Sequence, residues 1–423
     1  MIDIFSRAAV QVEAAEASVS GKPSALPALA LAQRMTEEQV LSVIERSGLT
    51  GKGGANFPMY RKVALMQKQQ SGERHLIVNG GEHEPGSQKD RYLLETYPET
   101  ILEGALILAH AVNASTIQIA VSRSAVDAIA AMRCVIDRYA VNYQVNINGV
   151  RLSVRVVEVP DSYLVGEESA LIETLEGRPA LPRRRPPFPI ESGFQSKPTL
   201  VHNVETVGQL PFIVAAGPDR YRSLSTHGRG VTLCTFGSEF KRPGVRLVPL
   251  GTSLRDVVHH YGGGLSAGQT IRAVQPGGPA AGILLESEMD VPFEDGALKQ
   301  AGSALGCAAV RAFSHADDIV SYVTEVMAFF ASNSCGQCPS CRMETQMLSS
   351  IMAQVMAKRA TEKLLKQVPA IIKTATIKPA ICSLVQMPAG PILSALQKFP
   401  EDFRRYMAAE GMASHQVLEA QSP

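Results

Sequence analysis

The stretch His75-Leu-Ile-Val-Asn79-Gly80-Gly81-Glu82-His83-Glu84-Pro85-Gly86 decides the fold. Its apolar run is too short for a helix and reads as a buried strand. The strand opens into glycines and acids, then into residues 90–111, whose apolar spacing is helical. A strand that passes through such a turn into a helix builds a ligand crevice at the strand's C-terminal end in an open α/β sheet. Glu82 and Glu84 would repel phosphate, so they face ribose hydroxyls or a ring, or form an ordinary solvated turn. The same pattern recurs downstream. Residues 116–121 read as a strand, 125–139 as a helix and 152–159 as a strand. Tyr163-Leu-Val-Gly166-Glu167-Glu168 then leads into a helix ending near Gly177. This alternation predicts a mostly parallel α/β sheet.

Upstream, Thr36-Glu-Glu-Gln39 is a capping box with Met35 placed to staple it. The helix it starts runs through Val40, Leu41, Val43 and Ile44 and ends at Gly48. Glycines at 48, 51, 53 and 54 follow at once, with Lys52 among them, then Phe57 and Lys62. Bare backbone turns tightly and brings N–H groups against an anion. No Gly-Lys-Ser/Thr ends the loop, so it is not a Walker A loop, and ordinary turn chemistry competes with the anion reading. Phe57 either offers a ring face to a planar ligand or fills core, and the sequence alone favours core. Residues 1–35 are rich in alanine and broken by Pro23 and Pro27, which predicts an irregular, surface-draped leader.

Residues 179–189 are rich in proline and carry Arg183, Arg184, Arg185 and Phe188. Prolines hold such a loop extended; its arginines grip phosphate or form a solvated face. Val201-His202-Asn203-Val204-Glu205-Thr206 starts another helix, and 230–236 reads as a strand. Residues 245–279 hold short strands, one helix near 254–261 and several glycines, which suggests a small β-rich module. From Ala316 the chain is helical, over 318–331, 344–363 and 391–407.

Inside that helical part lies Ser334-Cys335-Gly336-Gln337-Cys338-Pro339-Ser340-Cys341-Arg342. Three thiolates at this spacing converge on one face of an iron–sulfur cube, and a cube takes its fourth ligand from elsewhere. Cys382 is the best candidate. A Cys₄ zinc site is the competing reading, although such sites bring their thiols as two separated pairs. Cys134, Cys234 and Cys307 read as ordinary buried thiols.

Composition bounds the rest. With 423 residues, 45% hydrophobic and 19% charged, the chain is globular and has several domains. A net charge of +1 predicts no nucleic-acid surface and no strong membrane field. No apolar run reaches the roughly 18 residues of a membrane span. An N-terminus carrying Asp3, Glu13 and Glu16 without an apolar stretch is not a targeting peptide. Four of seven cysteines in one metal pattern indicate a reducing, cytoplasmic compartment.

Five motifs, in order, carry a resemblance. They are residues 51–58, 79–91 with Lys89-Asp90-Arg91, 166–177, 203–206 and the cysteine nonapeptide. The set resembles the NADH-binding, FMN-carrying subunit of respiratory complex I, a module shared with NAD-linked hydrogenases and formate dehydrogenases. The likeness runs from about residue 36 to about residue 407. It implies a leader at 1–35 and a Rossmann-like FMN- and NADH-binding α/β domain at 36–237. A β-grasp module of soluble-ligand-binding type would occupy 238–312, and a helical [4Fe–4S] domain 313–423. By the resemblance, Gly51, Lys52, Gly53 and Lys62 form the flavin loop. Asn79, Glu82, Tyr163, Gly166, Glu167, Asn203 and Thr206 supply its remaining contacts. Gly54, Phe57, Glu84, Glu168, Arg185 and Phe188 meet the nicotinamide nucleotide, and Cys335, Cys338, Cys341 and Cys382 hold the cube. Hydride would pass from NADH to FMN and electrons leave singly through the cluster, with no catalytic side chain required.

The implied partners are a thioredoxin-like [2Fe–2S] subunit and a larger iron–sulfur subunit, with a peripheral place on the inner face of the membrane. A leader of 35 residues cannot fold a fused thioredoxin-like domain, which favours a chain that works as a separate subunit. The alternatives are the diaphorase subunit of a formate dehydrogenase or hydrogenase, and a cluster-bearing structural subunit that has lost NADH oxidation. The chain departs from the family at several points. Gly81 stands where many relatives have Asp, His83 where Gly or Ser is usual, and Arg185 where a lysine is. Leu65 replaces an aromatic and Asn333 a glutamate. Glu84 and Glu168 would disfavour the extra phosphate of NADPH. The sequence leaves open the final electron acceptor, the effect of Gly81 and the role of the leader.

Overall fold

The computed structural model describes residues 2–17, 26–70, 72–140, 146–147, 150–377 and 379–407. Its first layer is a parallel sheet in the order β5-β2-β1-β6. These strands are β1 (His75–Gly80), β2 (Thr116–Ser122), β5 (Ser153–Val159) and β6 (Thr199–Asn203), with a two-residue hairpin, β3 (Asn146–Ile147) and β4 (Val150–Arg151), between β2 and β5. Buried on both faces, β1 sends Leu76 and Val78 into one core and Ile77 into another. That is why its sequence is continuously apolar instead of alternating. The chain leaves β1 towards β2 on one side and returns as β6 on the other, so Asn79 and Asn203 lie opposite each other at the strand ends. A sheet whose order reverses at that point opens a crevice there.

The helix Glu37–Ser47 carries the predicted capping box at Thr36 and ends with Gly48 in the left-handed region. The single helix expected over 90–111 is two, Lys89–Thr96 and Pro98–Val112. Pro98 cannot donate into a continuing helix but suits a first turn, so it splits the run. The sequence marks β6 only as the start of a helix; its five residues show no period of their own. The described part of residues 1–35 is not an irregular drape. Helices Arg7–Ala17 and Pro27–Ala32 are built there, and Ile4, Phe5, Val10, Leu26 and Leu29 are buried in the main core. Residues 18–25, with Pro23, lie outside the described residues.

The second layer is a mixed sheet, β10-β9-β11-β7-β8. It contains β7 (Val231–Phe236), β8 (Gly244–Pro249), β9 (Ile271–Gln275), β10 (Leu284–Leu285) and β11 (Ala309–Ser314). β7 pairs with β8 and β11, so the second module starts before residue 238, and β11 crosses the limit expected at 312. Leu254, Val257 and Val258, from the short helix Leu254–Asp256 and the π turn Val257–Tyr261 that continues it, belong to this sheet's core.

The third part is helical: Ile319–Asn333, Pro339–Met356, Val368–Ile377 and Ala389–Lys398, with shorter pieces between and after. The expected helix at 344–363 starts earlier, at Pro339, and stops at Met356. Val368–Ile377 is a helix the sequence reading does not contain, because its β-branched residues and proline disguise the helical period. Arg272 of β9 pairs with buried Asp402 at 2.7 and 2.9 Å, and Ile283 N–H donates to Ser394 Oγ at 2.9 Å. These contacts fasten the bundle to the second sheet. Among the described residues no helix is long and apolar enough to cross a membrane.

Candidate functional site

Four segments converge at the C-terminal ends of β1, β5 and β6. The first is the glycine loop. The Gly51 N–H donates to Phe57 O at 2.8 Å and a Thr50–Pro58 bridge closes the loop's neck. The Lys52 N–H donates to Thr206 Oγ1 at 2.8 Å, seating the loop on the start of the helix after β6. A Cβ on Gly53 would lie 3.3 Å from Asn203 Cβ, and Gly54 has φ +105°, a conformation that favours glycine. The Lys52 ammonium does not face the mouth. It is buried beside Glu205 and Lys89 without a hydrogen-bond partner, and burial lowers its pKa to about 8.

The second segment follows β1. Asn79 Nδ2 donates to Gly166 O at 3.1 Å, and Asn79 Oδ1 accepts from the Gly81 N–H. Both Glu82 oxygens are engaged locally, one with Ser87 Oγ and the other with the Asp90 and Arg91 N–H groups at the start of a helix. Glu84 lies under the second module near Gly278, and burial raises its carboxyl to about 7, with Tyr163 acting against the shift.

The third segment is the turn Tyr163–Gly166 and the helix Glu168–Leu175. Glu167 caps that helix through Ser169 and Ala170. Its other oxygen meets Arg185 at 2.6 Å, while Glu168 pairs with Lys62 at 2.6 Å and with Arg185 at 3.0 Å. The two cations expected to meet phosphate are thus held by carboxylates. The Arg185 guanidinium lies 5.7 Å over the Phe188 ring. Phe188 is 48% exposed and Phe57 41%. The sequence-based preference for Phe57 as core is therefore wrong: its ring stands at the surface by the loop.

The fourth segment is Asn203–Thr206. Asn203 Oδ1 accepts from the Glu205 N–H at 3.0 Å, and its Nδ2 donates to Asp90 Oδ2 at 2.5 Å. Beneath it lies a cluster the sequence did not reveal. Buried Lys89 Nζ reaches Asp90 at 2.8 Å and Glu205 at 2.9 Å, and lies 3.3 Å from Asn203 Oδ1. Burial disfavours its charge, but Asp90 and Glu205 outweigh that and raise the pKa. The Lys89-Asp90 pair is visible as a motif; its burial is not, because lysine and aspartate normally face water.

The four cysteines line one pocket with Leu164, Ser334, Gly336 and Ile381. Cys338 is the N-cap of the helix Pro339–Met356, so that helix aims its positive end at the sulfurs. The Ile381 N–H donates to Cys338 Sγ at 3.4 Å, Gln337 Nε2 lies 3.8 Å from Cys335 Sγ, and Ser334 Oγ 3.6 Å from Cys341 Sγ. Gly336 has φ +82°, and a Cβ there would come 2.8 Å from the Arg342 guanidinium. Burial pushes the Cys341 thiol up to about 11 and raises Cys382 as well, so a cation's charge is needed to ionise them. Among the described residues no three His, Cys, Asp or Glu side chains converge tightly enough for a single metal ion. Four thiols around one pocket are the donor set that a four-iron cube takes. Of the other thiols, Cys234 is buried, Cys307 half-buried and Cys134 exposed, contrary to the buried reading of Cys134.

Open space at the crevice is what a bound cofactor would need. A Cβ on Gly54 would meet nothing nearer than Gly306, at 4.0 Å, and one on Gly166 nothing nearer than Gly81 O, at 4.0 Å. Bare backbone from four loops therefore leaves room that side chains would fill.

Comparisons with known proteins agree with this geometry. Residues 44–211 match the Nuo51 FMN-binding domain family, and residues 321–406 the NADH-ubiquinone oxidoreductase-F iron-sulfur binding region. The NADH-quinone oxidoreductase F subunit of Buchnera aphidicola subsp. Acyrthosiphon pisum is 34% identical over 380 residues, 88% of this chain and 85% of that one. Its counterpart in Escherichia coli K12 is 37% identical over 314 residues, 73% and 71% of the two chains. A crystal structure of an NAD+-reducing [NiFe]-hydrogenase in its H2-reduced state superposes with a TM-score of 0.80 at 29% identity. It matches 91% of this chain, which spans only 66% of that hydrogenase chain's length.

Proposed function

The chain belongs to the family of NADH-quinone oxidoreductase F subunits, and from that premise we propose that it oxidises NADH at a bound FMN and passes the electrons on through a [4Fe–4S] cluster. The observation that carries this reading is a shared wall. The turn Tyr163–Gly166 receives the Asn79 amide at the mouth of the crevice, and its Leu164 lines the cysteine pocket. The proposed two-electron and one-electron sites would share that turn.

The flavin would convert hydride into single electrons; that chemistry belongs to the cofactor. The chain's own residues bind, orient and exclude water. The loop at 51–54 presents bare backbone, and Asn79, Gly166, Asn203 and Thr206 would fix the flavin's polar edge. Phe57 and Phe188, both exposed, would cover the nucleotide with their rings, and Glu84 sits under the second module. Lys62 and Arg185 would meet phosphate by exchanging their carboxylate partners, a charge-balanced arrangement in the free chain. Cys335, Cys338, Cys341 and Cys382 would hold the cube. The Ile381 N–H and the helix start at Pro339 stabilise negative charge on the sulfurs.

The partners proposed are a thioredoxin-like [2Fe–2S] subunit and a larger iron–sulfur subunit, with quinone as final acceptor and a peripheral place on the inner face of the membrane. The likeness to the NAD+-reducing hydrogenase supports a second reading, a diaphorase subunit delivering to another enzyme. The test is stoichiometry and turnover. Purified protein is expected to carry one flavin and one four-iron cluster, bleach with NADH and reduce ferricyanide. Cys382→Ala should lose the cluster's iron and absorbance and keep the flavin. Protein that stays colourless and iron-free after anaerobic reconstitution sinks the proposal.

A further inference from the structure

We infer that Gln337 is a positioning residue that couples the cysteine loop to the nucleotide loop. It fixes residues 179–189, and with them Arg185 and Phe188, in the geometry that accepts the dinucleotide. This rests on the NADH-dehydrogenase reading above.

The loop at 179–189 has a particular difficulty. Five of its eleven residues are proline and carry no N–H, so it cannot be zipped to neighbours through its own donors. It must be held through its carbonyls and side chains. On one side the Arg183 N–H donates to Ser169 Oγ at 2.9 Å, and the Arg183 guanidinium pairs with Glu173 and Glu176. At the far end the Phe188 N–H donates to Glu191 at 2.8 Å. Arg185 pairs with Glu167 and Glu168, and the Thr199 N–H donates to Pro189 O at 2.9 Å. The carbonyl of Pro182, midway along the first half of the loop, is held from outside the domain. Gln337 Nε2 donates to Pro182 O at 3.0 Å, across 155 positions of sequence. The same nitrogen lies 3.8 Å from Cys335 Sγ. A primary amide nitrogen has two hydrogens, enough for both contacts. Gln337 sits on the short arc between Cys335 and Cys338, after Gly336 with φ +82°. Ligation of both cysteines therefore fixes where Gln337 points. The other side of the wall repeats the connection: Leu164 lines the cysteine pocket, two residues from Gly166, which holds Asn79.

Two consequences follow. Nucleotide affinity depends on an intact cysteine loop, with Gln337 as the link. By reciprocity, a bound nucleotide stabilises that loop against loss of its iron.

The test uses ADP-ribose, which has the dinucleotide's phosphates and no redox chemistry. It is titrated by calorimetry into the full-length, flavin- and iron-loaded protein. Gln337→Leu keeps the bulk and removes the donor, and it is expected to weaken ADP-ribose roughly three- to tenfold, the effect of one ordering hydrogen bond. KM for NADH should rise by a similar factor, with a smaller fall in kcat. Gln337→Lys restores a donor and should bring affinity back to within about twofold of wild type. Removing iron from the wild type with a chelator should weaken ADP-ribose as much as Gln337→Leu does, and removing it from the Leu variant should add little. If Gln337→Leu does not retain its iron, Gln337→Asn, polar but one carbon short of Pro182, gives the same readout. A Leu or Asn variant that keeps flavin and iron and binds ADP-ribose like the wild type overturns the coupling. A wild-type protein that takes up no ADP-ribose overturns the functional reading on which it rests.

Discussion

At the scale of single residues, several side chains expected to touch ligand already have local work. Asn203 and Glu167 are helix caps, and Glu82 closes the start of a third helix. A cap is held in one rotamer by its N–H donors, so it presents its remaining atoms to a ligand without further ordering. Lys89 plays the corresponding part beneath the crevice. Lys89→Met leaves Asp90 and Glu205 buried without their cation and is expected to cost about 3–5 kcal/mol. A shift of the urea midpoint by the matching amount checks this; stability within experimental error of wild type would show that the pair is replaceable.

At the scale of elements, the N-terminal helices show how context overrides composition. Residues 27–32, Pro-Ala-Leu-Ala-Leu-Ala, offer little helical stability alone, and Leu26 provides no side-chain cap. The cap comes instead from Glu103 of Pro98–Val112, which accepts from the Ala28 and Leu29 N–H groups at 2.8 and 3.1 Å. Burial raises the Glu103 carboxyl to about 7. Between the ordinary carboxylate range and pH 7 the folded chain therefore holds a proton that the unfolded chain has released. Stability falls as pH rises through that window. Glu103→Gln should flatten that slope in thermal melts from pH 5 to 7. Glu103→Ala, which strands two N–H donors, should cost about 1–3 kcal/mol and speed proteolysis near the N-terminus. An unchanged pH slope in the Gln variant would count against Glu103 as the titrating group.

At the scale of the whole molecule, the three parts share apolar core at their seams: Val231 and Leu233 of β7 lie in the main core, and Ala273, Ile283 and Phe313 pack with the bundle. Polar contacts reinforce those seams. Arg272 and Asp402 form the clearest, reinforced by the Arg272 guanidinium 4.9 Å over the Phe399 ring. Arg272→Ala leaves buried Asp402 with only the exposed Arg405 as its cation and is expected to cost roughly 3 kcal/mol, felt mainly by the bundle. Hydrogen exchange should accelerate in Ala389–Lys398 and Pro400–Arg404 while β1 and β2 stay protected. Equal acceleration in the parallel sheet would mean that the parts unfold as one unit. The bundle reaches the crevice through the turn Tyr163–Gly166, whose Tyr163 packs on Phe329, and through Gln337.

The sequence by itself determined what depends on local spacing. The cysteine nonapeptide, the capping box at Thr36, the strand His75–Gly80 and the glycine loop each carry their meaning within about ten residues. Chain entropy and backbone sterics act over that same range. Only the tertiary structure decided what depends on burial and long-range partners: that Ile4, Phe5, Val10, Leu26 and Leu29 belong to the main core, that β7 belongs to the second sheet, that Lys89 is buried and that Phe57 is exposed. Nor does a glutamine between two cysteines announce that a proline carbonyl 155 residues earlier will accept from it. Desolvation and non-local hydrogen bonds are set by which surfaces meet, and no window of sequence contains both sides of such a contact.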